Sequence, residues 1–182
     1  MKAFILLMLI LFATSMASAE GRGMHLIHPQ GSGLVLTVLQ RDGDLHATFA
    51  GQTWVSGTVI GRWPDGATNR HYKDPEFVLV PDPESVEKLP YFLLRQPPYF
   101  HRYKVRYVEL MNGPAALRIA AGDVPVRRLL QRRVNHVTVS GRFLMEHYTV
   151  GVECDAPWAR AVLLKAEPLE QRTTHNGVLA GC

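Results

Sequence analysis

The sequence predicts a mainly β chain, a small β-barrel or sandwich with one short helix. Short runs of β-forming residues recur between turn signals such as Asp42-Gly43, Pro64-Asp65-Gly66 and Pro97-Pro98. Only the stretch after Asp123 has the chemistry of a helix start. With 12 Pro and 15 Gly in 182 residues the chain can turn often, and 47% apolar residues are enough for one core.

The elements follow in order. "LVLTVLQ" (34–40) and "LHATFAG" (45–51) flank Asp42-Gly43, where Gly tolerates the positive φ of a tight hairpin turn. "GSG" (31–33) reads as a turn before the first of these strands, since no helix follows it to form a phosphate cradle. "TWVSGTVIGRW" (53–63) is the next strand, ended by Pro64. "FVLV" (77–80) and "YFLLRQ" (91–96) are short strands bounded by prolines, and "YFHRYKVRYVELM" (99–111) is the longest strand candidate. Asp123 as N-cap, with Pro125 in the first turn, starts a helix through "VRRLLQRR". "VNHVTVSGRFLM" (134–145), "YTVGVEC" (148–154) and "RAVLLKAE" (160–167) complete the strands. The triplet Val-Ser-Gly occurs twice, at 55–57 and 139–141. Neither Ser56 nor Ser140 sits in a G-x-S-x-G frame, so the expectation is one structural device used twice, Gly57 and Gly141 each marking a bend.

The amino terminus carries a compartment signal. Met1-Lys2 is a positive start, Phe4 to Phe12 is an uninterrupted apolar run too short to span a bilayer, and Ala17-Ser18-Ala19 has the small-x-small form of a cleavage site. The expectation is a signal peptide over 1–19 and a single exported domain over 20–182, periplasmic or secreted, with no stable membrane insertion after cleavage. Glu20, not Cys, follows the cleavage site, which argues against a lipid anchor. Cys154 and Cys182 are the two cysteines, and in an oxidising compartment an even count pairs, so a Cys154–Cys182 disulfide is expected.

The order "WVSGTVIGRWPDG", "PYFLLRQPP", "VRRLLQRRVNHVTVSGRFLMEH" and "ARAVLLKAE" resembles a group of small exported bacterial domains of unknown function. Those domains carry a V-x-G strand, a Pro-Gly loop, an apolar strand ending in Pro and a V-x-V-x-G strand. The resemblance covers about residues 53–167 and implies a small OB-like β-barrel; it implies no activity. The His-rich segment that follows V-x-V-x-G in that group is represented here by His147 alone.

The chemistry-bearing residues point to binding. On a strand, alternation over 99–110 places Tyr99, His101, Tyr103, Val105 and Tyr107 on one face and Phe100, Arg102, Lys104 and Arg106 on the other. Two-residue spacing sets the three cations about 7 Å apart, matched to successive anionic groups. Arg127, Arg128, Arg132 and Arg133 form a second basic cluster around Leu129 and Leu130, with Arg128 and Arg132 at the i,i+4 spacing that costs a helix slightly. The candidate binding set is therefore Arg102, Lys104, Arg106, Arg127, Arg128 and Arg132 with Tyr99, Phe100 and Tyr103. Both features also fit a solvated, charge-protected surface.

Other chemistries have weaker support in the pattern. His25 and His28 have H-x-x-H spacing but supply only two ligands, with Pro29 breaking any helix, and no metal or other cofactor is expected. A formal net charge of +4 is not a nucleic-acid-binding composition. The function expected is non-catalytic binding of a protein or an anionic envelope component, one form being an inhibitor or immunity protein against a cell-wall-degrading enzyme. The alternatives are an envelope enzyme, whose site would bring His101 or His147 to a carboxylate in a deep pocket, and a structural accessory domain.

Overall fold

The structure, a computed structural model, describes residues 23–41, 45–64 and 74–174. The expected signal peptide, the Asp42-Gly43 turn and Cys182 lie outside the described residues. The described chain is mainly β, with nine strands in two sheets and three short helices. The strands are β1 (Met24–Ile27), β2 (Leu34–Gln40), β3 (Leu45–Arg62), β4 (Glu76–Pro81), β5 (Tyr91–Gln96), β6 (Tyr99–Tyr103), β7 (Val108–Leu110), β8 (His136–Glu153) and β9 (Ala156–Thr174). The helices are α1 (Pro83–Val86), α2 (Gly113–Ala121) and α3 (Asp123–Leu130). Among the described residues no helix is long and apolar enough to cross a membrane.

One sheet has the order β1-β5-β6 and the other β2-β3-β4-β7-β9-β8, with β3 and β8 also paired to each other. Along one edge of β3 the partner is β2 from His46 to Gly51 and then β4 from Gly57 to Arg62. In the interval, Ser56 is satisfied by the segment carrying α1: its N–H donates to Ser85 Oγ (2.9 Å) and its carbonyl accepts from the Asp82 N–H (2.9 Å). The other edge of β3 pairs with β8 along nearly its whole length. All neighbours in the large sheet are antiparallel except β7 and β9, which are parallel. The segments 45–51 and 53–63, expected as two strands, are one continuous β3, and 134–145 and 148–154 fuse likewise into β8.

The repeated triplets mark where the long strands are approached most closely by their neighbours. Gly57 and Gly141 are direct cross-strand partners, so the two Val-Ser-Gly copies lie against each other. A Cβ on Gly57 would run into the Val80 carbonyl on β4, and one on Gly141 into the Glu167 carbonyl on β9. Each glycine is the cross-strand partner of a proline, Gly57 of Pro81 and Gly141 of Pro168, and Gly141 also adjoins a register shift. The triplet is thus one device used twice, a side-chain-free crossing at which neighbouring strands close in.

The core lies inside the large sheet and under the helices. Inward-facing Val55 and Val59 of β3, Leu79 of β4, Val139 and Phe143 of β8 and Leu163 of β9 are all buried. Leu117 of α2 and Leu129 of α3 cover one end, where a Cβ on Gly61 would fall within 2.9 Å of both side chains. The single short helix expected from the sequence is α3, and α1 and α2 are additions. "GPAALRIAA" opens with Gly-Pro, which reads as a breaker, yet Pro suits a first helical turn and the Ala/Leu run that follows propagates it. Asp123 is the first residue of α3, not its cap; Gly122, at φ 82, is the cap, and Asp123 pairs with Arg118 at 2.6 Å. Asn112, just before α2, extends the β7–β9 ladder with its side chain, donating from Nδ2 to the Leu163 carbonyl (2.8 Å) and accepting the Leu163 N–H at Oδ1 (3.1 Å).

Candidate functional groove

The expected strand 99–110 is interrupted. β6 ends at Tyr103, residues 104–107 form a connector, and β7 starts at Val108. Tyr103 and Val105 point inward, and so do Val108 and Leu110, so the connector shifts the alternation by one residue. The cationic ladder therefore does not form. Arg102 is exposed on β6 beside Glu87. Lys104 is mostly buried, ion-paired with Glu87 and 5.6 Å from the Tyr91 ring centre, so it ties β6 to the α1 region. That partnership holds the Glu87 carboxyl below its usual range.

Of the candidate aromatics, Tyr103 is buried in the core, where burial and the hydrogen-bonded Asp155 carboxylate push its phenol upward. Phe100 is 60% exposed, and Tyr99 opens β6, its side chain outside the described part. Asp155 belongs to the two-residue turn joining β8 to β9, in which Cys154 (φ 47) and Asp155 (φ 60) both take the positive φ of a primed hairpin turn. Cys154 is exposed, and its expected partner Cys182 lies outside the described residues.

The second basic cluster also divides. Arg127 borders a shallow depression with Arg118, Val126 and Leu130, while Arg128 lies partly covered on α3. Arg132 is past the end of α3 in a left-handed conformation (φ 55), its guanidinium 4.0 Å from the Trp63 ring centre, so the i,i+4 pairing with Arg128 is not helical. Trp63 is buried beneath it and donates its indole N–H to the Leu129 carbonyl (2.9 Å).

Arg106 lines a more enclosed cavity than the open depression of about 530 Å³ beside Arg127. A groove of about 490 Å³ runs across the outer face of β3, β4 and β7. Its apolar surface comes from Ile60, Val78 and Val80, and Arg106 and Tyr107 enter from the connector. Two ion pairs border it: Arg62 Nε to Glu76 Oε2 at 3.0 Å, and Arg160 Nε to Glu109 Oε2 at 2.8 Å. Both carboxylates are thus ion-paired, Glu109 by Arg160 from outside the lining, whereas Arg106 has no ion-pair partner among the described residues. Tyr107 is 52% and Val80 38% exposed, an aromatic and an aliphatic surface beside that charge. Next to Arg62 across β3 stands His136, whose imidazole is held below its usual value first by burial and then by the Arg62 charge. His136 Nε2 and the neighbouring Asn135 Oδ1 are buried and have no hydrogen-bond partner among the described residues.

The remaining candidates are placed elsewhere. His101 stacks edge-on against Tyr103 at 4.5 Å, and His147 sits 3.5 Å from Glu146 on an exposed irregularity of β8. Neither lines the groove. His28 meets Ser32 Oγ at 3.1 Å and the Phe49 ring at 5.1 Å, and among the described residues no three potential ligands gather for a metal. Glu76 and Glu109 were not singled out by sequence because β4 and β7 are too short to display a periodic charge pattern, and Arg62 is a lone charge at the end of β3; only Arg106-Tyr107 carried a signal, and it pointed to a strand. No family model, curated protein or solved structure matches the chain.

Proposed function

We propose that this protein is an exported, non-catalytic binding module that holds an anionic, extended partner, a protein segment or an envelope polymer, in the groove across β4 and β7. The observation that carries the reading is Arg106, with no ion-pair partner among the described residues, beside an apolar surface and an exposed tyrosine. A cation with aromatic and aliphatic neighbours recognises an anionic group attached to an apolar or ring-bearing backbone.

The strand circuit supports the choice of face. The pairings β3-β4-β7-β9-β8, with β8 returning to β3, a parallel β7–β9 pair and helices between β7 and β8, follow the connectivity of an OB-like barrel. In such barrels the second and third strands carry the ligand face. Here those strands are β4 and β7. Export rests on the reading of residues 1–19, and the mild positive charge suits an anionic partner.

The test is capture from an envelope extract of the producing organism at low and high salt, using the wild type, Arg106→Glu and Arg102→Glu. The wild type is expected to retain a partner that salt releases, Arg106→Glu to lose it at least tenfold, and Arg102→Glu to keep it. Equal loss in both variants, or retention by Arg106→Glu, rules out the groove.

A further inference from the structure

The large sheet has one poorly defended edge. Among the described residues β2 pairs with β3 only, leaving its other side open. Edge strands are normally protected by charge, proline or brevity. β1 is four residues long and β6 carries Arg102. β2, "LVLTVLQ", has seven residues with neither a charge nor a proline, and Val35 (63%), Leu36 (38%) and Val38 (50%) are exposed. Val35 and Val38 stand over the outer face of β3 while Leu36 leans to the inner one, so the edge is apolar on both sides.

We propose that β2 pairs with β2 of a second copy of this chain, antiparallel about a two-fold axis near Thr37. Two features favour a second copy over a foreign strand. With no charge between Leu34 and Gln40, self-pairing opposes no like charges within the strand, the obstacle that forbids it for a charged edge. The edge also bends, because the β2–β3 register slips between Leu36 and Val38, where Thr37 donates from Oγ1 to the Thr48 carbonyl (2.9 Å). A regular strand would have to kink to follow that bend. A two-fold partner brings the same bend to the same place, since Thr37 faces Thr37. One seven-residue seam is smaller than the roughly 1,600 Å² of a standard interface, so the dimer forms in a concentration-dependent way.

The experiment is sedimentation velocity of the exported protein in reducing buffer, from about 1 µM to about 500 µM, the range in which a contact this small fills. The reducing buffer removes any link through Cys154. The wild type is expected to pass from monomer to dimer, Val38→Lys to raise the dimer dissociation constant at least tenfold with unchanged circular dichroism, and Leu130→Lys, on exposed α3, to behave as wild type. A wild type that stays monomeric throughout overturns the proposal. So does a Val38→Lys protein that dimerises normally, or a Leu130→Lys protein that does not.

Discussion

β3 and β8 are shaped at two places by different means. At the first, Gly57 faces Gly141 and the β3–β8 ladder runs through without a break. At the second, that ladder skips from Thr48 to Gln52 and the β8–β9 ladder from Glu146 to Thr149, with Gly51 at φ 92 and His147 at φ 52. The inner side of this break is filled by Phe49 and Tyr148, both buried, with ring centres 6.0 Å apart. One is made by removing side chains so that neighbours can approach. The other is made by breaking the ladder and filling the gap with aromatic rings.

The largest expected effect is at the glycine crossing. Gly57→Val or Gly141→Val drives a side chain into a neighbouring backbone carbonyl and should cost about 3 kcal/mol, read from the urea midpoint. Because the two positions touch, the double variant should cost less than the sum. Additive losses, or none, would show that the crossing is not a shared close approach. At the second place Tyr148→Phe should cost about 1 kcal/mol, because the Pro90 carbonyl, 3.3 Å from the phenol, loses its donor. His147→Gly should stabilise by about 0.5 kcal/mol, relieving a left-handed residue whose exposed pairing with Glu146 contributes little.

The smallest effect is a pH dependence at the far end of the same strand pair. His136 has a lowered pKa in the fold, so below its ordinary value of 6.5 the unfolded chain binds more protons than the native one. Stability should therefore fall as pH drops below 6.5 and level off beneath the folded value. His136→Gln should flatten that part of a pH series of denaturation midpoints. An unchanged slope would mean that His136 is not held neutral by its surroundings.

The contrast also separates what the sequence reveals from what it conceals. A glycine inside a β-forming run is visible, and the repeated triplet marks the glycine crossing at both of its residues. The second place is marked only on β3, by Gly51, which reads as a strand end; on β8 His147 supplies the left-handed turn and Tyr148 reads as an ordinary strand residue. β2, β4 and β5 were readable because turn residues bracket them. α2 was hidden behind Gly113-Pro114. The groove was only partly legible: Arg106 stood out, but its setting depends on a one-residue change of phase between β6 and β7, and Arg62, Glu76 and Glu109 meet only through register. Lys104 shows the converse, a conspicuous cation taken up by Glu87.

The β3–β8 ladder also has a consequence in time. Its two strands are separated in the chain by every other strand from β4 to β7 and all three helices, whereas β8 and β9 are joined by a two-residue turn. As the chain is synthesised, β3 emerges with one long edge that nothing made so far can cover. The local β8–β9 hairpin closes cheaply, but the loop that brings it to β3 is the costly one, which places folding among the slower, non-local topologies of milliseconds to seconds. Until β8 arrives, the nascent protein must be kept from using that edge elsewhere.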